Sequence, residues 1–285
     1  MNNPPFFIIG NPRSGTTLLR LMLTSNPKVS IPPEAGFAVW FYKKYEQKEI
    51  NLSVLQELAC DIYSSKKFDN WNLSLEEIKD AFNDKSIVSY TEAINKIYML
   101  YAIKNMKPTA ISGDKNNFYL SEIATILLIW PTAKFIHIIR DGRNVACSYK
   151  DINKMKLSSP SSPKLPSQIT DIATEWSNNN RIISESLKYV SPRNYVEIKL
   201  EDLISNNENI LKELCRFLGV EFSPEMIEYY KGDTSKFENM EWKKKNKEPL
   251  VTTENEKYLS FLTKDEIKTF ESIGSKTLKK YGYMK

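Results

Sequence analysis

Eight residues near the start of the chain, Gly10-Asn-Pro-Arg-Ser-Gly-Thr-Thr, combine the residue types that bind an anion. Successive backbone N–H groups in such a loop form a nest for negative charge, and a following helix N-terminus adds its dipole. Gly15 lets the backbone approach a ligand closely. Ser14, Thr16 and Thr17 bring hydroxyls, and Arg13 brings a cation. The glycine spacing is that of a Walker A loop. The residue after the second glycine is Thr16, however, where a nucleoside triphosphatase has the lysine that reaches the β- and γ-phosphates. The positive charge has moved to Arg13, and no later strand ends on a dedicated magnesium carboxylate, Asp141 being the nearest approach to one. The loop therefore reads as a site for an anion other than magnesium triphosphate. A plain glycine turn before a helix would need neither the cation nor the hydroxyls.

Such a loop works only between a strand and a helix, and its flanks predict both. Residues 6–9 form a continuous apolar run ending at Gly10, the pattern of a buried strand. From Thr16 onward, Leu18, Leu19, Met22 and Leu23 recur at helical spacing until Asn26-Pro27. Further strands are predicted at 29–31, 110–112, 134–140 and 195–198, and helices at 35–48, 118–130, 141–149, 168–189 and 208–218. A capping box of Thr263 and Glu266 starts a last helix. Residues 49–107 carry no strand signal and read as a helical insertion, while the Ser/Pro-rich stretch within about 152–167 reads as a flexible loop. Alternating strands and helices predict a P-loop-like, three-layer α/β domain over residues 1–285, with a central parallel sheet of about five strands.

Composition narrows the class. The 285 residues carry a net charge of +5, which suits an anionic ligand but is too small and too evenly spread for a nucleic-acid surface. The three cysteines, Cys60, Cys147 and Cys215, have neither disulfide nor metal-ligand spacing. With no leader signal and no apolar run near the roughly 20 residues of a membrane span, the expectation is a cytoplasmic protein without membrane anchor or metal.

The segment PRSGTTLLRLML resembles the 5′-phosphosulfate loop of the PAPS-dependent sulfotransferases (PAPS is 3′-phosphoadenosine 5′-phosphosulfate). It is most similar to the tyrosylprotein sulfotransferase branch and its bacterial relatives. A second segment, FIHIIRDGRNVACSYKD, resembles the strand and helix with which that family holds the 3′-phosphate. The resemblance implies PAPS as co-substrate and adenosine 3′,5′-bisphosphate as product. It implies that Arg13, Ser14, Gly15, Thr16 and Thr17 hold the 5′-phosphosulfate, and that Arg140 and Ser148 hold the 3′-phosphate. Glu34 falls at the position of a catalytic glutamate, and Lys115 at that of a lysine stabilising the transferring group. The sequence departs from that branch at Leu200, where a tyrosine lies near the adenine, and in having no anchor or cysteine pair. The implied activity is sulfuryl transfer to a hydroxyl or amine, and a chain of this size suits a small-molecule acceptor such as a secondary metabolite.

In-line sulfuryl transfer asks for an anion cradle, a cation at the leaving oxygen and a base at the acceptor. The only histidine, His137, sits inside the apolar run Phe135-Ile-His-Ile-Ile and reads as a core residue. Carboxylates are left. Glu34, just past a strand end, is favoured over the bland reading in which it only favours the next helix's N-terminus. Asp114 is the alternative base, or else a turn residue beside Lys115. Trp40, Phe41 and Tyr45 read as core, Asp141 as a helix cap and Arg143 as locally paired. The run Lys243-Lys-Lys-Asn-Lys reads equally as a solvated face or as a cover for the 3′-phosphate. Two other classes share the pattern: a P-loop kinase or NTPase, and a non-catalytic nucleotide-binding protein.

Overall fold

The computed structural model describes residues 4–155, 163–231 and 256–285. Strand β1 (Phe6–Ile9) is buried along its length, as a continuous apolar run inside a parallel sheet must be. It passes through the anion loop into α1 (Thr16–Thr24), followed by β2 (Val29–Ser30) and the short helices α2 (Phe37–Trp40) and α3 (Tyr42–Tyr45). Helices α4 (Leu52–Tyr63), α5 (Leu75–Ala81) and α6 (Tyr90–Lys104) occupy the insertion. Next come β3 (Ile111–Lys115), α7 (Ile123–Ile129), β4 (Phe135–Ile139) and α8 (Gly142–Lys154). Then follow α9 (Ile169–Leu187), β5 (Tyr195–Lys199), α10 (Leu200–Ser205) and α11 (Asn207–Leu218). The last described elements are α12 (Lys257–Phe261) and α13 (Lys264–Lys280), the latter opened by the predicted capping box.

The five strands are parallel and ordered β2-β3-β1-β4-β5, the predicted fold class. Side chains alternate across a strand. Phe7, Ile9 and Phe135 therefore face one apolar cluster with α4, α6 and α7, while Phe6, Ile8, Ile136 and Ile138 face another with α1 and α11. A third cluster joins α8, α9 and α13 around Trp176 and Phe270. The insertion is part of the first cluster and not a mere overlay: Leu58, Ile62, Trp71 and Ile78 are buried in it.

Some boundaries differ from the sequence reading. Strand β3 runs on through Gly113, Asp114 and Lys115, which had read as a turn. Gly113 pairs beside Phe6, and a Cβ there would lie 2.5 Å from the Phe6 ring, so this glycine serves close packing within the strand. The helix predicted over 35–48 is broken at Phe41. That predicted over 118–130 begins with the 3₁₀ turn Asn117–Ser121. Helix α8 continues to Lys154, into the stretch predicted to be a loop, whose residues 156–162 lie outside the described residues, as does the run at 243–247.

Candidate active site

All strands of a parallel sheet end on one edge, and ligands of open α/β sheets bind there. The loop of residues 10–15 leaves the end of β1. Glu34 stands four residues past β2, Lys115 is the last residue of β3, and Arg140 follows β4 directly. Strand pairing sets Lys115 opposite Ile8, two residues before the loop. The predicted site residues are thus brought to one edge from four strands.

The loop is held from beneath. Asn11, fully buried, donates to the Pro12 carbonyl (2.8 Å) and the Tyr149 hydroxyl (3.3 Å) and accepts from Asn179 (2.8 Å). Tyr149 in turn donates to Glu175 at 2.7 Å, tying the loop to α8 and α9. Arg13 and Gly15 both have left-handed backbones, with φ of 67° and 91°. At Gly15 an added Cβ would also lie 2.5 Å from Leu200 Cδ1, so the position is closed to other residues twice over. Leu200 is buried against the loop. Helix α1 begins with no side-chain cap and no acidic residue in its first turn, so its N–H groups and dipole are left for a ligand. The Ser14 hydroxyl is buried and has no hydrogen-bond partner among the described residues, as a group reserved for a ligand would be. Thr16 donates its proton to Asn117 at 3.3 Å, and Thr17 is half-buried in the first turn of α1.

Two arginines are linked at this loop. Arg140 donates to the Arg13 carbonyl (3.1 Å), and Arg13 Nε donates to the Ser148 hydroxyl (3.1 Å). Burial, and then the like charge of Arg140, lower the Arg13 pKa to about 10 against a smaller opposing effect of Tyr149. An anion beside them would offset both effects by favouring the charged guanidinium. The residues assigned separately to the two ends of the nucleotide are therefore in direct contact. Arg140 is itself fixed through its backbone: its carbonyl accepts from Trp176 (3.2 Å), and the next N–H donates to Glu201 (3.0 Å). Asp141 caps α8, accepting from the Arg143 amide at 2.9 Å. Arg143 is buried and paired with Asp141 and with Glu271.

Beside the cradle stands a carboxylate with two ammonium partners. Pro32 and Pro33 carry the chain out of β2, and Trp71 donates to the Pro33 carbonyl at 2.9 Å. Glu34, 8% exposed, pairs through Oε1 with Lys115, which is 2% exposed, and through Oε2 with Lys67 at 3.0 Å. The capping reading of Glu34 is not what the geometry shows, because α2 has Gly36 at its N-cap and no side-chain cap bond. Asp114 is neither a turn residue nor part of this group. It is fully buried among aromatic rings and accepts hydrogen bonds from Tyr98 and, at 2.7 Å, from Tyr119. Burial raises its pKa to about 7 despite those two bonds.

His137 is buried and pairs through Nδ1 with Glu197 at 2.9 Å, as a core residue. Tyr45 is core, whereas Trp40 is 42% exposed and stacks on Phe118, ring centroids 5.5 Å apart. Sequence reasoning missed two residues. Arg20 is buried in α1 and donates to the Ile31 carbonyl (3.1 Å), fixing the turn that carries Glu34. Its charge inside an apolar helix face was the available signal. Lys67 lies in the insertion, at no spacing that marks it. Among the described residues no group of three His, Cys, Asp or Glu side chains could hold a metal ion, and no helix is long and apolar enough to cross a membrane.

The sulfotransferase family profile matches residues 4–224. Among curated proteins, the chain is 23% identical over 248 residues to the omega-hydroxy-beta-dihydromenaquinone-9 sulfotransferase Stf3 of Mycobacterium bovis, covering 76% of this chain and 63% of that protein. It is 23% identical over 230 residues to a protein-tyrosine sulfotransferase of Drosophila melanogaster, covering 79% of this chain and 40% of that one. The chain thus spans less than two thirds of the length of these relatives. Among solved structures, it is similar to the sulfotransferase domain from the curacin biosynthetic pathway, with a TM-score of 0.63 at 20% identity over 95% of this chain and 98% of that one. It is also similar to the sulfotransferase domain of the Synechococcus PCC 7002 olefin synthase, with a TM-score of 0.59 at 22% identity over 95% of both chains. With a profile match over most of its length, laid on a loop, a strand-end arginine and a Glu–Lys pair at one sheet edge, this chain belongs to the sulfotransferase family.

Proposed function

We propose that this protein transfers a sulfuryl group from PAPS to a hydroxyl or amine of a small-molecule acceptor. The observation that carries this is the adjacency of two devices at one sheet edge. One is an uncapped helix N-terminus with two guanidinium groups and a spare buried hydroxyl. The other is the Glu34–Lys115 pair, joined to it by the Thr16–Asn117 hydrogen bond. The first suits a nucleotide with two anionic groups, and the second suits the acceptor's proton and the leaving oxygen.

In this reading Ser14, Gly15, Thr16, Thr17 and Arg13 hold the 5′-phosphosulfate, and Arg140 with Ser148 holds the 3′-phosphate. The acceptor's lone pair attacks sulfur in line. The bond from sulfur to the bridging oxygen breaks, its electron pair leaves on the 5′-phosphate, and the acceptor's proton passes to Glu34. Arg13, Lys115 and the α1 amides face the charge that develops on the leaving and equatorial oxygens. One such donor is worth about 3–4 kcal/mol of barrier when removed. In this scheme the protein's own cations supply the positive charge that the transition state asks for. Three free thiols suit a reducing cytoplasm. Trp40 follows Glu34 through the short helix α2, and Phe118 follows Lys115 in the turn after β3. Their half-exposed stack gives the edge an apolar wall for the body of the acceptor.

The test is transfer of label from sulfur-labelled PAPS to a panel of phenols and aliphatic alcohols. Glu34→Gln is expected to lower turnover by about 10²–10⁴-fold while affinity for adenosine 3′,5′-bisphosphate stays near wild type. A fully active Glu34→Gln removes Glu34 as the base.

A further inference from the structure

Lys67 belongs to the helical insertion, far in sequence from the anion loop, yet its ammonium reaches Glu34 Oε2 at 3.0 Å. Three observations set it apart from a surface lysine in a chance ion pair. Its backbone is left-handed, with φ of 70°, a conformation that costs a non-glycine residue energy and that clusters at functional sites. The turn it opens, Phe68–Trp71, is held to the Glu34 segment independently, by the Trp71 bond to the Pro33 carbonyl and by the packing of Phe68 and Trp71 on Phe37. Its partner is itself buried and already paired on the other oxygen with Lys115.

That double pairing raises a mechanistic problem. Lys115 neutralises Glu34 at rest, but the leaving oxygen of the donor needs a cation. A buried carboxylate that loses one of its cationic partners is less firmly held unless another keeps its grip. We propose that Lys67 is the positioning residue that holds Glu34 in place while Lys115 turns from Glu34 Oε1 to the leaving oxygen. The oxygen that Lys115 vacates, Oε1, is then the one that takes the acceptor's proton, as the acceptor–sulfur bond forms and the sulfur–bridging-oxygen bond breaks with its pair leaving on the 5′-phosphate. Lys67 stays on Oε2 throughout. Among the described residues, the charged groups that bear on Glu34 include Lys115 from β3, Lys67 from the insertion, and Asp114, one residue before Lys115. The insertion thereby supplies part of the catalytic centre. This inference rests on Glu34 being the base.

The test compares Lys67→Met, Lys67→Arg and Glu34→Gln in the full chain, with PAPS as donor and 2-naphthol as acceptor probe. Lys67→Met keeps the aliphatic stem and removes the charge. Its kcat is expected to fall about 10–100-fold, the scale of a misplaced catalytic group. The KM for PAPS, the affinity for the bisphosphate and the melting temperature should all stay near wild type. Lys67→Arg, which keeps the cation, should recover most of kcat. An unchanged kcat in Lys67→Met alongside an inactive Glu34→Gln overturns the role of Lys67 alone. A loss of melting temperature and bisphosphate affinity together with kcat, unrescued by arginine, makes Lys67 a structural support and also overturns it. A fully active Glu34→Gln removes the base and this inference with it.

Discussion

Arg13, Glu34 and Lys115 carry the proposed chemistry, and they were legible for two different reasons. Arg13 replaces the positive charge that a triphosphate loop places one residue after its second glycine. Glu34 and Lys115 were found by position in a resemblance, and strand ends then bring them into contact. Lys67 was not legible, because its only marks are a backbone angle and a contact, which no spacing reveals. Asp114 reads as an alternative base or else as a turn residue, and the turn reading gives way because β3 runs through it. In the folded chain it is buried beneath Tyr98 and Tyr119. Its pKa is raised from 3.8 to about 7, chiefly by burial, so the folded state favours the protonated form. The contribution of this group to stability is complete at a pH below about 4 and is lost as pH rises through about 7. Asp114→Asn should flatten that dependence. Melting temperatures measured between pH 5 and pH 8 check this, and an equally steep fall in the variant would contradict it.

Among the elements, β1 with α1 and β4 with α8 were readable because period and punctuation agree: an apolar run, a glycine or aspartate, then helical spacing. The elements that read poorly are those whose ends are set by tertiary contact. Strand β3 persists through a glycine because Phe6 fills the space where a side chain would be. The short helices α2 and α3 break at Phe41 within an aromatic face that looked continuous. The turn from β1 into α1 depends on Gly15 most of all, as its φ is 91° and Leu200 lies where a Cβ would be. Gly15→Ala combines a left-handed penalty of about 1–2 kcal/mol with that overlap. Bisphosphate affinity is expected to fall more than tenfold, measured by calorimetry, with a lower melting temperature. Wild-type affinity in this variant would show that the loop tolerates a side chain there and does not approach its ligand closely.

In the whole molecule, the parallel sheet is what makes a site from residues that lie far apart in sequence. Strands β1, β2, β3 and β4 deliver the loop, Glu34, Lys115 and Arg140 to one edge, and β5 delivers Leu200 and Glu201 behind them. The alternation of strand and helix made this architecture legible. How the insertion reaches Glu34 was not, because nothing local encodes which face of the sheet a helical segment covers. On the proposed function this edge selects a nucleotide with a 3′-phosphate, through Arg140 and Ser148, over a magnesium-bound triphosphate. Calorimetric titration of the intact chain with adenosine 3′,5′-bisphosphate, and separately with ATP and Mg²⁺, measures that selection. The bisphosphate is expected to bind, Arg140→Ala to weaken it, and ATP with Mg²⁺ not to bind. Binding of ATP with Mg²⁺ alone, or a bisphosphate affinity unchanged in Arg140→Ala, would contradict it.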